Sequence, residues 1–536
     1  MKYIRCLCTL LFGVAVLLFF GLAYPHHLHY QEQYQLFLFD SSYVWEIVRL
    51  PGGIADLLGR FCTQFFLFAW IGALIIALLL SVVQLLTLRL MPPSDSPKRG
   101  ERGSSHPSLG GIEGGLSFVP SFLLWLFLLD ENALLGGVWA VLLTLLASWV
   151  FDLLSDGWIR RILLIAAIPI LYWMVGPVCL LFFLLQAPSP KQSAWYYGVF
   201  PLMIIMLVIL SYYIPVPAHK LCTGIHYHRY PTVFPVLLWS AALSVFLIVL
   251  MKTLPLPLPA RKGGNYSKTK STAKASTPLP HREVLGVGLS FLLVVAIMGS
   301  LVWKNANLKA EKVMQYDFMA RHQQWNRILE TINAEKPNNQ IGVTIQNLAL
   351  AMHGMLADHL FNYNQNGILG LLPDVDRDAT SPLPTAEAFY QLGMVYVAQR
   401  TVFEAQEAIL DFQKSGRCYK RLAQTNLIIG SYEVARKYLT ALQKTLFYRD
   451  WANETLPLLG NEEAIAKHPE YGRLRQFVCS DDYYFSDHVT ADMLERLFLC
   501  NTENRLAFEY LKAYYMLTGD RENYAKLLLH LQKLKQ

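Results

Sequence analysis

Long apolar runs separated by short polar connectors fill about the first 300 residues, and they constrain the fold more than any other feature. The runs cover approximately 6–24, 65–91, 116–129, 134–153, 162–186, 196–214, 232–250 and 284–303. Most approach the roughly 20 residues that a helix needs to cross a bilayer. In lipid every backbone N–H and C=O must be satisfied within the protein, so each run is read as a helix. After about Lys304 the chain turns polar and charged, and most of its Asp and Glu lie there. The expected organisation is a transmembrane helical domain, residues 1–303, followed by a soluble α-helical domain, residues 304–536.

This division also explains the charge. The net charge is +7, with 54% hydrophobic and 16% charged residues. Many of the bases stand in short connectors, where anionic lipid and the positive-inside rule account for them. The bilayer is therefore the expected partner, and nucleic acid is not. Met1-Lys2-Tyr3-Ile4-Arg5 followed by an apolar run has the shape of a signal peptide. The run is too long and has no A-x-A-like site, so an uncleaved anchor is expected, with residue 25 onward outside. The eight cysteines include no C-x-x-C and no paired metal-ligand spacing. Most are small apolar packers. Cys479 and Cys500 can bridge if their domain faces an oxidising space, contributing roughly 3 kcal/mol.

Charge also orders the runs across the membrane. With the N-terminus inside, the 25–64 loop falls outside. The 92–111 connector with Lys98, Arg99 and Arg102 is then inside, Asp130-Glu131-Asn132 outside and Arg160-Arg161 inside. A single crossing by 162–186 would leave a basic linker outside, with Arg261, Lys262, Lys268, Lys270, Lys274 and Arg282. That run contains Tyr172-Trp173-Met174-Val175-Gly176-Pro177, and Gly-Pro frees backbone groups that lipid cannot satisfy. A broken hairpin of two short helices restores the parity. It gives nine membrane elements, a cytoplasmic linker and an extracytoplasmic, periplasmic C-terminal domain. Eight spans with a cytoplasmic tail is the alternative. The linker, residues 254–282, is rich in Pro, Ser, Thr, Lys and Gly and reads as flexible.

Beyond residue 305 the apolar positions recur at helical spacing with no alternating strand, so this part is all-α. Leu392, Gly393, Tyr396, Ala405 and Ile409 match Leu422, Ala423, Asn426, Gly430, Tyr432, Ala435 and Leu439 in spacing. This resembles the tetratricopeptide repeat (TPR), although the two units are offset by less than its usual length of about 34 residues. Leu517-Thr518-Gly519-Asp520 is a looser echo, and a further helix pair is expected around Gln324-Trp325-Asn326. Stacked pairs of this kind expose a groove, and another envelope protein is the partner expected for it.

The first outside loop, 25–64, holds the candidate chemistry. It carries His26, His27, His29, Glu32, Asp40, Glu46 and Asp56. Ile54, Leu57, Leu58, Phe61 and Phe65 form one helical face and Asp56 and Arg60 an i,i+4 pair on another, which predicts an amphipathic helix along the interface. Carboxylates held there suit transfer from a lipid-phosphate-linked donor, one as base and one holding Mg²⁺ or Mn²⁺. The layout resembles glycosyltransferases of the GT-C fold. By that resemblance Glu32 and Asp40 are the catalytic candidates, and a divalent cation is the cofactor implied. The loop has no adjacent acid pair and no D-x-D, so solvated loop acids are the competing reading. A second cluster, Pro217-Ala218-His219-Lys220 with His226-Tyr227-His228-Arg229-Tyr230, falls on the same side in the nine-element topology. Lys220, His228 and Arg229 are the substrate-binding candidates, the cations holding a lipid diphosphate. His and aromatic residues gather at interfaces without ligand roles, so no metal site is assigned. Ionisable residues are scarce within the spans, which argues against ion-coupled transport.

Gln33-Tyr34-Gln35-Leu36-Phe37, Pro51-Gly52-Gly53, Thr63-Gln64-Phe65-Phe66, Leu171-Tyr172-Trp173 with Gly176-Pro177, and Tyr432-Glu433-Val434-Ala435-Arg436-Lys437-Tyr438 look like an uncharacterised family of bacterial multipass inner-membrane proteins. The resemblance covers nearly the whole chain and implies inner-membrane location and the two-part layout, with no activity attached. Two functions remain open: lipid-linked sugar transfer, or a non-enzymatic membrane-anchored scaffold.

Overall fold

The computed structural model describes residues 2–91, 115–155, 157–187, 196, 198–253, 280–374, 380–410, 413–479 and 490–534. The 92–111 connector, with Lys98, Arg99 and Arg102, and nearly all of the 254–282 linker lie outside the described residues. Among those described, the regular elements are all helical, with one isolated antiparallel bridge between Ala133 and His228. The chain is an all-α protein.

It divides into two units. The first comprises Met1–Ala23, Trp45–Thr63 and Trp70–Ala306, and the second Tyr24–Val44, Gln64–Ala69 and Asn307–Gln536. The last segment of the first unit ends at Ala306 and that of the second begins at Asn307. The 25–64 loop, expected to belong wholly to the membrane domain, is instead shared. Its first part enters the second unit through backbone pairing and burial. Leu36 N–H donates to the Lys414 carbonyl at 2.9 Å and Phe39 N–H to that of Lys444 at 2.7 Å. Leu36 and Leu38 join a core with Leu383, Leu422 and Leu439.

Within the first unit, four helical stretches are long and apolar enough to cross a membrane: Cys6–Ala23, Ala69–Leu90, Leu135–Asp152 and Trp158–Leu185. Val199–Tyr213, Val236–Leu250 and Leu292–Asn305 are shorter apolar helices. Within the 116–129 run lies the Val119–Phe127 helix. Leu78, Ile162, Ile204, Ile205 and Val208 are exposed, an outer surface that suits lipid. Inside, sparse polar groups link helices: Gln84 Nε2 donates to Ser117 Oγ at 2.9 Å and Ser121 Oγ to the Leu80 carbonyl at 3.1 Å.

The fourth stretch is interrupted as the Gly-Pro predicts. The Trp158–Val175 helix ends, Gly176–Val178 forms a 3-10 turn, and Cys179–Leu185 follows. Arg160, at its beginning, donates to Gln186 Oε1, at its end, at 2.9 Å. A straight helix rising 1.5 Å per residue would hold these side chains roughly 40 Å apart. The chain therefore doubles back at Gly176-Pro177. The carbonyls freed there are satisfied from two other segments. Gly52 N–H donates to the Trp173 carbonyl at 2.9 Å, and the Tyr227 hydroxyl to that of Val175. Apolar surroundings make both bonds necessary.

The second unit is built of helix pairs. Pro382–Leu392 pairs with Val395–Glu407, Gly416–Ile429 with Tyr432–Gln443, and Arg505–Thr518 with Arg521–Leu534. Each first helix stops at a glycine in the left-handed region, Gly393, Gly430 or Gly519. The residue after it donates back five positions each time: Met394 to Phe389, Ser431 to Asn426 and Asp520 to Tyr515. This is the Schellman closure, which needs positive φ and so favours glycine. Leu308–Arg321 and Trp325–Glu335 form a fourth pair, around the Gln324-Trp325-Asn326 position the sequence picked out. Cys479 and Cys500 are joined in a disulfide.

Candidate functional site

Each unit holds a concentration of buried charged groups. In the first it is built on the Gly53–Thr63 helix. The helix is amphipathic, but in the opposite sense to the one expected for an interface. Asp56 and Arg60 are buried, 2% and 8% exposed, while Ile54, Leu57, Leu58 and Phe61 on the other face are less covered. Arg60 Nη2 lies 2.8 Å from Asp56 Oδ2, and its Nε also donates to the carboxylate. In an apolar bundle the charged face turns toward protein and the hydrophobic face outward. Close backbone approach holds the helix there: a Cβ on Gly59 would lie 2.4 Å from the Gly136 nitrogen.

Asp56 faces the 224–230 loop, where His226 Nδ1 lies 3.8 Å from its Oδ2. Gly224 (φ +111) starts this loop beneath the Tyr227 ring, where no side chain fits. The loop then pairs with the 130–134 turn: Leu134 N–H donates to the Tyr227 carbonyl at 3.1 Å and Arg229 N–H to that of Asn132 at 2.9 Å. His228 accepts the Tyr230 N–H on Nδ1 at 3.1 Å, which leaves Nε2–H to donate to Asp130 at 3.1 Å. Lys220 sits on the Ala218–Thr223 helix, whose Leu221 carbonyl takes the Tyr172 hydroxyl at 2.9 Å. Lys220, His228 and Arg229 are all at most 6% exposed. The three substrate-binding candidates thus share the first unit with Asp56, Arg60 and His226.

Glu32 and Asp40 belong to the second unit, and their surroundings differ. Glu32 ends the Pro25–Glu32 helix, is 4% exposed and accepts the Tyr448 hydroxyl at 2.9 Å. Burial pushes its carboxyl above the usual range, against the opposing pull of Arg321 and Arg417. Asp40 lies near the surface, paired with Lys444. That ammonium and Ser42 hold it down to about 2. The two carboxylates do not share a partner among the described residues.

Next to Glu32 is a network that sequence reading did not find. Arg417, 6% exposed, donates to Asp317 through both terminal nitrogens at 2.6 and 2.8 Å, to Gln33 Oε1 at 3.0 Å and to Glu387 at 3.3 Å. Arg421 pairs with the other oxygen of Glu387 and stacks 3.6 Å from the Tyr390 ring centroid. The two arginines hold the Glu387 carboxyl down to about 2 in spite of its burial. These partners lie up to 384 residues apart, so no local spacing reveals them. Among the described residues no group of three or more His, Cys, Asp or Glu is placed to hold a metal ion.

Fold and site together define an all-α protein with an apolar, membrane-compatible unit around a buried charged pair and a second unit of paired helices. The chain belongs to DUF6057, a family of unknown function, whose model matches residues 1–536. No curated protein and no solved structure matches it.

Proposed function

We propose that this is a multi-pass protein of the bacterial inner membrane, with its second unit on the periplasmic side, and that its first unit transfers a sugar from a lipid-linked donor in the manner of GT-C glycosyltransferases. The observation that carries the reading is the Asp56–Arg60 pair, buried on a helix whose opposite face is apolar, beside His226. Such a pair is costly to desolvate, and in an apolar bundle it marks a working site. Arg60, Lys220 and Arg229 supply cations for a lipid diphosphate, the arginines through their planar forks. Asp56 beside His226 supplies acid–base capacity. Asp56 therefore comes before Glu32 and Asp40 as the carboxylate to test, because it is the buried acid of the first loop that shares a unit with Lys220, His228 and Arg229. The divalent cation implied by the GT-C resemblance finds no ready-made ligand group, and no step is routed through it.

Sidedness is supported by two features. The reversal at Gly176-Pro177 supplies the extra pass that charge parity requires. The Cys479–Cys500 bridge suits an oxidising compartment. Asp56→Asn in the native chain is expected to deplete one envelope glycan and accumulate its lipid-linked precursor at unchanged protein level. An unaltered glycan and precursor profile sinks the transferase reading.

A scaffold function is the second reading, favoured by the three helix pairs with matching glycine closures. TPR-like stacking of such pairs would present a groove to another envelope protein. In-cell crosslinking of the full chain that recovers no reproducible partner counts against it.

A further inference from the structure

A cavity of about 320 Å³ opens within the second unit. Its wall includes Arg321, His322 and Gln323 from one turn, and Lys420, Arg421 and Trp451. Two of its four cations are already matched, Arg417 by Asp317 and Arg421 by Glu387. The other two are not. Among the described residues Arg321 forms no ion pair; its Nη1 is buried without a hydrogen-bond acceptor, and its guanidinium carbon lies 5.8 Å from the Phe318 ring centroid. Lys420 likewise forms no ion pair there and sits 4.9 Å from the Trp451 ring centroid. Glu470 is the remaining carboxylate of the wall. Asp317, Glu387, Glu470 and Glu32 are the carboxylates around these four cations, and among the described residues neither Arg321 nor Lys420 forms an ion pair with any of them.

The turn that carries Arg321 supplies a second, independent observation. Gln323 has φ +54. Gln324 N–H closes back on the Met319 carbonyl, the same five-residue return made after Gly393, Gly430 and Gly519. A glutamine thus occupies the left-handed position that those turns, and the similar one at Gly354, give to glycine, at a cost in stability. Gln323 is one of the residues that line the cavity. Strained non-glycine residues gather at ligand sites, where the side chain is worth the strain.

We propose that this cavity binds a phosphate ester of about monosaccharide size, with Arg321 and Lys420 neutralising the phosphate and Gln323 donating to a neighbouring oxygen. Charge-assisted bonds to an oxyanion satisfy the buried Arg321 nitrogen, and aromatic Trp451 walls a sugar-sized group. The phosphate can arrive on a soluble sugar or on a lipid carrier.

The test uses the full chain in nanodiscs, titrated separately with glucose 1-phosphate and with a short-chain prenyl phosphate. Saturable binding of either compound, weakened at least tenfold by Arg321→Gln and by Lys420→Gln, is expected; the better ligand identifies the source. Gln323→Gly is expected to raise Tm while weakening the same binding severalfold, which separates loss of the site from loss of fold. Binding of neither compound, or affinities that these three variants leave unchanged, overturns the proposal. Because Asp56→Asn lies in the other unit, its effect on glycan transfer is scored separately.

Discussion

Arg60 reaches Asp56 at 2.8 Å on the covered side of a helix whose apolar residues face the other way. A soluble helix with this spacing would put the pair in water and the leucines inside. Inversion is what a lipid medium favours, since lipid rewards exposed leucine and penalises exposed charge. Removing one partner leaves the other buried and unpaired. Asp56→Leu is expected to cost about 3–5 kcal/mol, whereas Asp56→Leu combined with Arg60→Met should recover most of that stability but not function. Thermal unfolding of the three proteins in one detergent decides this; equal losses in single and double variants would contradict it.

The helix holding that pair touches its neighbour through Gly59 and Gly136. A methyl group at Gly59 would collide with backbone, which cannot move as a side chain can. Gly59→Ala is expected to destabilise by about 1–3 kcal/mol, while alanine at Gly299, which lies inside a helix and meets nothing within 4 Å, should be neutral or slightly stabilising. Paired melting curves give the comparison.

Arg417 ties Gln33 of the first loop to Asp317 and Glu387 in the second unit. Arg417→Met leaves Asp317 buried without its cation and Glu387 with Arg421 alone, and a loss of about 3–5 kcal/mol is expected. Limited proteolysis should then cut within residues 24–44 first. Unchanged protection of that segment would show that Arg417 does not hold it.

The Pro25–Glu32 helix has an acid-sensitive seat. Glu311 receives the His26 and His27 N–H groups at 2.7 and 2.8 Å, capping the helix, and burial pushes its carboxyl up to about 7. Burial and nearby cations hold His26 down to about 4 and His29 to about 3. The signs oppose. A raised carboxyl favours folding as pH falls from 7 toward 4.5, whereas each depressed histidine costs stability as pH falls below 6.5, because only the unfolded chain takes up the proton. Two histidines outweigh one carboxyl, so this seat weakens on acidification from about 6.5 to 4.5. Amide exchange over residues 25–32 should quicken relative to the intrinsic rate in that window. His29→Phe, which keeps the stacking against Phe318, should flatten the response, and an unchanged slope in that variant would contradict the assignment.

What could be read from the sequence follows the range of the interaction that creates it. Hydropathy marked the four helices long and apolar enough to cross a membrane, because a bilayer imposes a local length, while other apolar runs form shorter helices; Gly176-Pro177 announced its own break. Glycines 393, 430 and 519 announced three turns. The turn at Gln323 gave no such signal, because its left-handed residue is not glycine. Pairing of Leu36 with Lys414, or of Glu32 with Tyr448, leaves no periodicity, so the loop's membership of the second unit was hidden. Spacing found the Asp56–Arg60 pair but not its direction, which depends on the surrounding medium. Arg417 carries no local signal either, because its partners Gln33, Asp317 and Glu387 are distant in sequence.

The most direct test of the account is the side of the membrane on which the second unit lies. Asn338→Cys, at an exposed position of that unit, and Ser267→Cys, in the linker, are each introduced and treated in intact cells with a membrane-impermeant maleimide, alongside non-reducing peptide mapping. The account predicts labelling of Asn338→Cys without permeabilisation, labelling of Ser267→Cys only after it, and a Cys479–Cys500 bridged peptide. Protection of Asn338→Cys in intact cells, with Cys479 and Cys500 recovered as free thiols, would place the second unit inside and contradict it.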